Sequence, residues 1–481
     1  MAVEGNSLEQ SLLREYGNCH SIYHGKGALT LDDGKKYDCQ FEAGQLNNGY
    51  VLLLCDFLPP FPTWTKIPAA KFEGTTSKGF GICSNIGINE VTYLPTISRD
   101  RSSGTWAAFH LDEMLVQMAD CGQTQRLHFG VTNFEFLGTE RTHRSDNSLF
   151  HTLPLDLRSE SKSTKLSIRP VDLYDKIIKR IKTLKSIDVS CEVIADIPTD
   201  GNIALIREAV EDLCYILSVA RGTKVQWVYC DQYDLTEKLV SRIHSSRITK
   251  RYCPLRIIDT MASGGGETKS FIEQAYSTYV DKRESYRLNN GTIDAYLDAK
   301  AEADYLEMRG IKLAVAMELL RSVFLELPDA PMKGYIIEEE KFKKLSPHLC
   351  AAIDEFLKTE IIDRDSRKAM CNDRKVLELN RRSFAHFLKK LCRHIDLRMG
   401  EDDIKLFVQC RNKLVHEGRF YCAIATPDEQ NECKPLPSKW HEYCFLINFL
   451  DRVFLKLLGY SGPYIDWSVP NKPAHQEHVS V

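Results

Sequence analysis

The feature that most constrains this fold is a change of hydrophobic period at Ser263-Gly264-Gly265-Gly266. Before it, short segments alternate apolar and polar residues between Gly, Asn and Pro punctuation. After it, apolar residues recur at three- and four-residue spacing with few breaks. A period of two buries one face of a strand, and a period of about 3.6 buries one stripe of a helix. A chain with each pattern in a separate half is expected to fold as a β-rich half and a helical half. The glycine run is the natural boundary between them.

Within the first half, Gly27-Ala28-Leu29-Thr30-Leu31 runs into the turn Asp32-Asp33-Gly34, and Lys36 to Phe41 alternates beyond it, the pattern of a hairpin. Tyr50 to Phe57 has the character of a buried strand stopped by Pro59-Pro60. Gly79 to Ile88, Val91 to Leu94 and Leu127 to Leu137 add further short strands. Such spacing predicts a sandwich or barrel-like sheet over residues 1–165. From Pro170 the period changes locally: Val171 to Leu184 and Ile203 to Ala220 predict helices, whereas Val189 to Ile194 and Lys224 to Cys230 predict strands. Residues 166–262 are therefore expected as an α+β extension. Residues 267–466 are expected as an all-α domain with helices over Phe271 to Tyr286, Ile293 to Leu325, Phe342 to Leu357, Ser383 to Arg393, Asp402 to Glu417 and Trp440 to Leu458, followed by a tail at 467–481. The fold class is multi-domain α+β.

At 481 residues the chain exceeds one ordinary core. A net charge of −3 provides no bulk attraction to nucleic acid, so any such contact must be made by local patches. The sixteen cysteines include no C-x-x-C pair, and no apolar leader follows Met1, which predicts reduced thiols in the cytoplasm. No apolar run approaches the roughly 18 residues of a membrane helix, so no membrane partner is expected. Cys433, His441 and Cys444 have no regular zinc spacing, and the glycine run lacks a Lys-Ser/Thr pair at Walker spacing. No metal and no cofactor is expected.

One segment carries chemistry. Phe407-Val408-Gln409-Cys410-Arg411-Asn412-Lys413-Leu414-Val415-His416-Glu417-Gly418 places an arginine, an asparagine and a histidine on one helix. A histidine accepts the proton of a ribose 2′-hydroxyl, and an arginine holds the charge that builds on phosphorus. At about 100° per residue Asn412 and His416 share a face, and Arg411 lies about 140° from His416. Leu406, Cys410, Leu414 and Val415 are expected to dock the helix, with Gly418 as its stop. The Arg-x4-His spacing alone means little, because Arg381 and His386 repeat it. There, Ser383 is expected to cap the following helix and leave Arg381 before its start.

Arg411-Asn412-Lys413-Leu414-Val415-His416 resembles the R-N-x-x-x-H signature of HEPN domains, which are helical-bundle ribonucleases. Ala316-Met317-Glu318-Leu319-Leu320 resembles the alanine-x-glutamate-leucine pattern of the same family. Leu414-Val415-His416-Glu417-Gly418 is similar to its ApeA-like branch in bacterial anti-phage defence, and the stretch from Gly27 to Leu54 resembles the β-rich N-terminal domain of ApeA proteins. HEPN toxins silenced by AMPylation carry a tyrosine two residues after the histidine. Gly418 stands there in this chain, which argues against that control.

The resemblance implies a metal-independent endoribonuclease that works as a homodimer, with His416 as general acid/base, Arg411 as transition-state stabiliser and Asn412 as positioning amide. It implies cleavage of host or phage RNA, tRNA among the candidates, by 2′-hydroxyl transesterification in abortive infection. The N-terminal half would sense a phage-derived trigger or restrain the activity. Two other functions remain open at this point: a non-catalytic HEPN dimerisation or ligand-binding protein, and a binding protein acting through its β-rich half. Lys176 to Lys182 and Arg242 to Arg251 are locally basic, and each is either an RNA-tracking segment or a solvated face.

Overall fold

In the computed structural model the described residues are all except 1–10, 17–18, 58–65, 68, 88, 91, 96–104, 119–122, 144–148, 161–162, 198–201, 248–252, 254, 303, 361–362, 371–372, 469–474 and 479–481. The chain is α+β, with a large antiparallel sheet in its N-terminal half and helices in its C-terminal half. By contacts it forms two compact units. The first takes residues 1–281 with 300–303 and 458–465, and the second takes 282–299, 304–457 and 466–481.

In the first unit the strands are β1 (Cys19–Leu31), β2 (Lys36–Leu46), β3 (Val51–Phe57), β4 (Lys66–Ile67), β5 (Ala70–Thr76), β6 (Gly81–Ile86), β7 (Asn89–Glu90), β8 (Thr92–Pro95), β9 (Thr105–Leu111) and β10 (Glu113–Gln117). They continue as β11 (Arg126–Thr132), β12 (Glu140–His143), β13 (Leu149–Arg158), β14 (Ser163–Pro170), β15 (Val189–Asp196), β16 (Trp227–Tyr233) and β17 (Leu239–Ser245). Fifteen of them form one sheet in the order β12-β13-β14-β15-β11-β16-β17-β10-β6-β5-β1-β2-β3-β9-β8. Strands from before and after residue 165 alternate in that order, so a single sheet runs through both stretches.

The β1–β2 hairpin forms as expected, with Gly34 at φ 82° closing its turn. The sheet curls, bringing β6 against β9. Leu29, Phe41, Leu53, Phe72, Phe109 and Val116 fill its interior. Elsewhere, helices α1 (Tyr174–Leu184) and α2 (Ile203–Arg221) pack on β15 and β16. The pairing of β11 with β16 shifts register between Gly130 and Val131. This places Trp227 beside Phe129 and against Glu211 of α2, while Tyr229 turns to the other face over Gly130.

After the glycine run, α3 (Gly266–Lys282) still belongs to the first unit. Its Glu273 carboxylate accepts the Asp156 backbone N–H at 2.9 Å, and its Tyr279 stacks on Tyr215 of α2. The glycines thus mark where local structure changes, and the grouping by contact changes one helix later.

The second unit contains α4 (Ile293–Lys300) except its last residue, and α5 (Leu306–Glu326), α6 (Glu339–Thr359), α7 (Arg364–Met370), α8 (Asp373–Glu378), α9 (Phe384–His394), α10 (Glu401–Glu417), α11 (Tyr421–Ile424), α12 (Pro427–Glu432) and α13 (Lys439–Leu457). The expected continuous stretch from Ile293 to Leu325 is two helices. Lys300 is fully buried, its carbonyl accepts a bond from Cys253 Sγ at 3.2 Å, and Tyr305 is extended at ψ 153° ahead of α5. Tertiary contacts override the helical period there. α5 packs on α10 and α13, and α9 packs on α10. Gly310 permits the first contact: a Cβ there would stand 3.0 Å from Leu414 and 3.2 Å from Phe420.

Candidate active site

The helix α10 is built to expose its last turn. Glu401, Asp402 and Asp403 occupy its first turn, where the helix dipole favours negative charge. Ile404, Phe407, Cys410 and Leu414 form its buried face. Gly418 ends it at φ 67° and donates its N–H to Leu414 O at 3.1 Å, the expected stop. The docking face differs from expectation in part. Leu406 is half-buried and Val415 is 41% exposed, whereas Phe407 stacks on Phe384 of α9 and Leu414 meets Gly310 of α5.

Arg411 lies about 60° around the helix from Leu414, at the edge of that face. Its side chain turns inward and is 15% exposed. Its guanidinium pairs with Glu318 of α5 and donates from Nη1 to Asn412 Oδ1 at 3.0 Å. It also lies 5.0 Å from the centre of the Phe384 ring at the start of α9. Arg321 approaches Glu318 at 3.5 Å and lies 5.9 Å from the same ring. Arg411 Nε is buried and has no hydrogen-bond partner among the described residues.

His416 stands one turn after Asn412 and is exposed, with no hydrogen-bond partner among the described residues. The structure therefore joins Arg411 and Asn412 directly and leaves His416 facing solvent. One helix thus carries an exposed imidazole and a fixed guanidinium.

Glu318, Arg321 and Phe384 complete the seam, and the Arg-x4-His spacing points to none of them. The signal for Glu318 was its place in Ala316-Met317-Glu318-Leu319-Leu320. Phe384 follows directly after the cap of α9. Ser383 Oγ accepts the His386 N–H at 3.2 Å, and Arg381 lies before the helix, paired with Glu378 at 3.0 Å. This is the expected arrangement at the second Arg-x4-His pair.

In each of the two basic segments of the first unit, two cations are paired. Arg180 bonds Asp188 at 2.7 Å and Lys182 bonds Glu135 at 2.5 Å. Arg242 pairs with Asp231, and Arg247 with Glu211 at 2.9 Å. Residues 248–252 of the second segment lie outside the described residues. Cys433, His441 and Cys444 do not gather: among the described residues no cluster of His, Cys, Asp and Glu side chains is placed to hold a metal ion. No helix among the described residues is long and apolar enough to cross a membrane.

The sheet holds a second polar constellation that the sequence did not reveal. His128 on β11, Arg169 on β14, Glu192 on β15 and Tyr229, Asp231 and Tyr233 on β16 share one face. Arg169 Nη2 donates to His128 Nδ1 at 3.2 Å and meets Glu192 at 2.7 Å. A Cβ at Gly130 would fall inside the Tyr229 ring, so that glycine lets the ring lie on the sheet. His128 Nε2 is buried and has no hydrogen-bond partner among the described residues, and burial followed by the Arg169 cation lowers the His128 pKa to about 4.

No family model matches the chain, and no curated protein or solved structure matches it either.

Proposed function

We propose that this protein is a metal-independent endoribonuclease of the HEPN type, acting as a homodimer in anti-phage defence. The carrying observation is the division of labour on α10: Arg411 is fixed by Glu318 and Asn412, while His416 is exposed on the last turn. In the proposed reaction the ribose 2′-oxygen attacks phosphorus and loses its proton to the His416 of one protomer. The bond from phosphorus to the 5′-oxygen breaks, and the other protomer's His416 protonates the leaving oxygen. Arg411 holds the charge on the phosphoryl oxygens and Asn412 orients them. The products are a 2′,3′-cyclic phosphate and a 5′-hydroxyl. The β-rich half senses a phage-derived trigger or restrains the activity, and tRNA is a candidate substrate because cutting it stops translation.

A second function is favoured by one observation, the commitment of Arg411 to Glu318, Asn412 and Phe384 within its own protomer. A guanidinium so engaged also serves a non-catalytic dimerisation or ligand-binding module. RNA-end sequencing after induction of wild-type and His416→Ala protein separates the two. New 5′-hydroxyl ends that vanish in His416→Ala support the nuclease, and identical end profiles sink it.

A further inference from the structure

The region around the second Arg-x4-His pair builds a feature of its own. His386, Lys389, Lys390 and Arg393 stand at i, i+3, i+4 and i+7 on α9, within about 100° of arc. Phe384, Phe387, Leu388, Leu391 and Cys392 fill the opposite face. Arg382 extends the cationic stripe before the cap. His386 is held below its usual range by loss of solvation and then by Arg382, Lys390, Arg393 and Lys389 together.

Carboxylates are abundant in this chain, yet they pair with only part of this stripe. Only Lys389 has an ion pair among the described residues, with Glu401 at 2.8 Å. Like charges at three- and four-residue spacing destabilise a helix, so an unrelieved stripe is a cost without an anionic partner. At the C-terminal end of α9 the stripe meets a cavity of about 400 Å3 lined by Lys389, Arg393 and Arg398 together with Asp396 and Glu401. At the N-terminal end of α9 Arg321 donates from Nη2 to the Arg382 carbonyl at 3.0 Å, while on the buried face Phe384 lies beside Arg411. Helices α9 and α10 run antiparallel, since Phe384 stacks on Phe407 while Lys389 reaches Glu401.

We propose that this face of α9 is a track for the phosphodiester backbone of single-stranded RNA, running from the Arg398 cavity towards the N-terminal end of the helix. The choice of RNA rests on the nuclease function proposed above. The phosphodiester class rests on the stripe itself. It offers the cations Lys389, Lys390 and Arg393 over about 6 Å of helix, and no large apolar side chain on α9 is exposed to receive a peptide. Neutralising successive phosphates is what such a row of cations does best.

The test uses full-length protein in a His416→Ala background and a fluorescently labelled single-stranded RNA, with anisotropy followed over a salt series. Lys390→Gln/Arg393→Gln removes two cations from the stripe and relieves repulsion, so the helix is retained, which circular dichroism checks. The expected result is at least tenfold weaker binding at low salt and a slope of log affinity against log salt smaller by about 1.4, two contacts at about 0.7 each. The control Lys341→Gln/Lys344→Gln on α6 leaves both unchanged.

Unchanged binding in the α9 variant overturns the proposal, as does equal weakening in the α6 control or a preference for anionic lipid vesicles over RNA. The two claims fail separately. Cleavage that needs His416 but ignores Lys390 and Arg393 sinks the track and keeps the nuclease. Binding that depends on the α9 cations in a protein that cuts no RNA does the reverse.

Discussion

Glu318 and Arg411, 93 residues apart in the chain, form an ion pair across the seam between α5 and α10. The pair fixes where the guanidinium points. Phe384 supplies an aromatic face beside it, Asn412 takes one of its donors, and Arg321 shares the carboxylate. The consequence for function is a split: the cation that would stabilise a phosphorane is anchored, while the histidine that would move protons is free.

Removing the anchor should cost stability. Glu318→Ala leaves Arg411, 15% exposed, without its carboxylate. A fully buried pair broken on one side costs about 3–5 kcal/mol and an exposed one less than about 1 kcal/mol, so a loss of about 2 kcal/mol is expected for this half-buried pair. Urea unfolding of the purified variant measures it. A change below about 0.5 kcal/mol would show that the pair does not organise the seam.

His416→Ala should behave in the opposite way. The side chain is exposed and unpartnered among the described residues, so stability stays within about 0.5 kcal/mol of wild type. Cleavage falls by at least about 100-fold if His416 transfers protons. Unfolding midpoints and cleavage rates of the same preparation check both halves of the statement. Arg411→Ala, by contrast, loses stability and activity together.

What the sequence made legible was local. The Asp32-Asp33-Gly34 turn, the Ser383 cap and the Gly418 stop each follow from residues within a few positions of the feature. Two partners of Arg411, Glu318 and Phe384, were not legible in its own segment, because they arrive from α5 and α9 by tertiary packing. The break at Lys300 escaped for the same reason: helical period continues through it, and burial of the lysine decides otherwise. In the sheet, the face switch between Trp227 and Tyr229 depends on a register shift against β11, which no pattern in β16 alone encodes.

Gly130→Ala should destabilise the sheet. The added methyl would sit within the Tyr229 ring, which is buried and lies 4.7 Å from the Arg242 guanidinium. Overpacking of this kind costs about 1–3 kcal/mol. Gly130→Ala/Tyr229→Ala removes the clash, so the double variant should lose less than the sum of the two single losses. Strict additivity in urea unfolding would refute the cradle.

His128 makes stability depend on pH in a definite direction. Its ordinary pKa of 6.5 is lowered in the folded protein to about 4, by burial first and then by Arg169. Between these values the unfolded chain binds a proton that the native imidazole refuses, so stability rises with pH and is lost as pH falls from about 6.5 towards 4. One such group contributes at most about 1.4 kcal/mol per pH unit. His20 is lowered to about 4 as well, and burial also pushes His244 down, so a slope persists when any one of them is replaced. His128→Gln should therefore flatten the acid limb of the urea-midpoint profile without abolishing it. An unchanged limb would mean that His128 titrates in the folded protein as it does in the unfolded chain, and that the Arg169–His128 bond does not persist in solution.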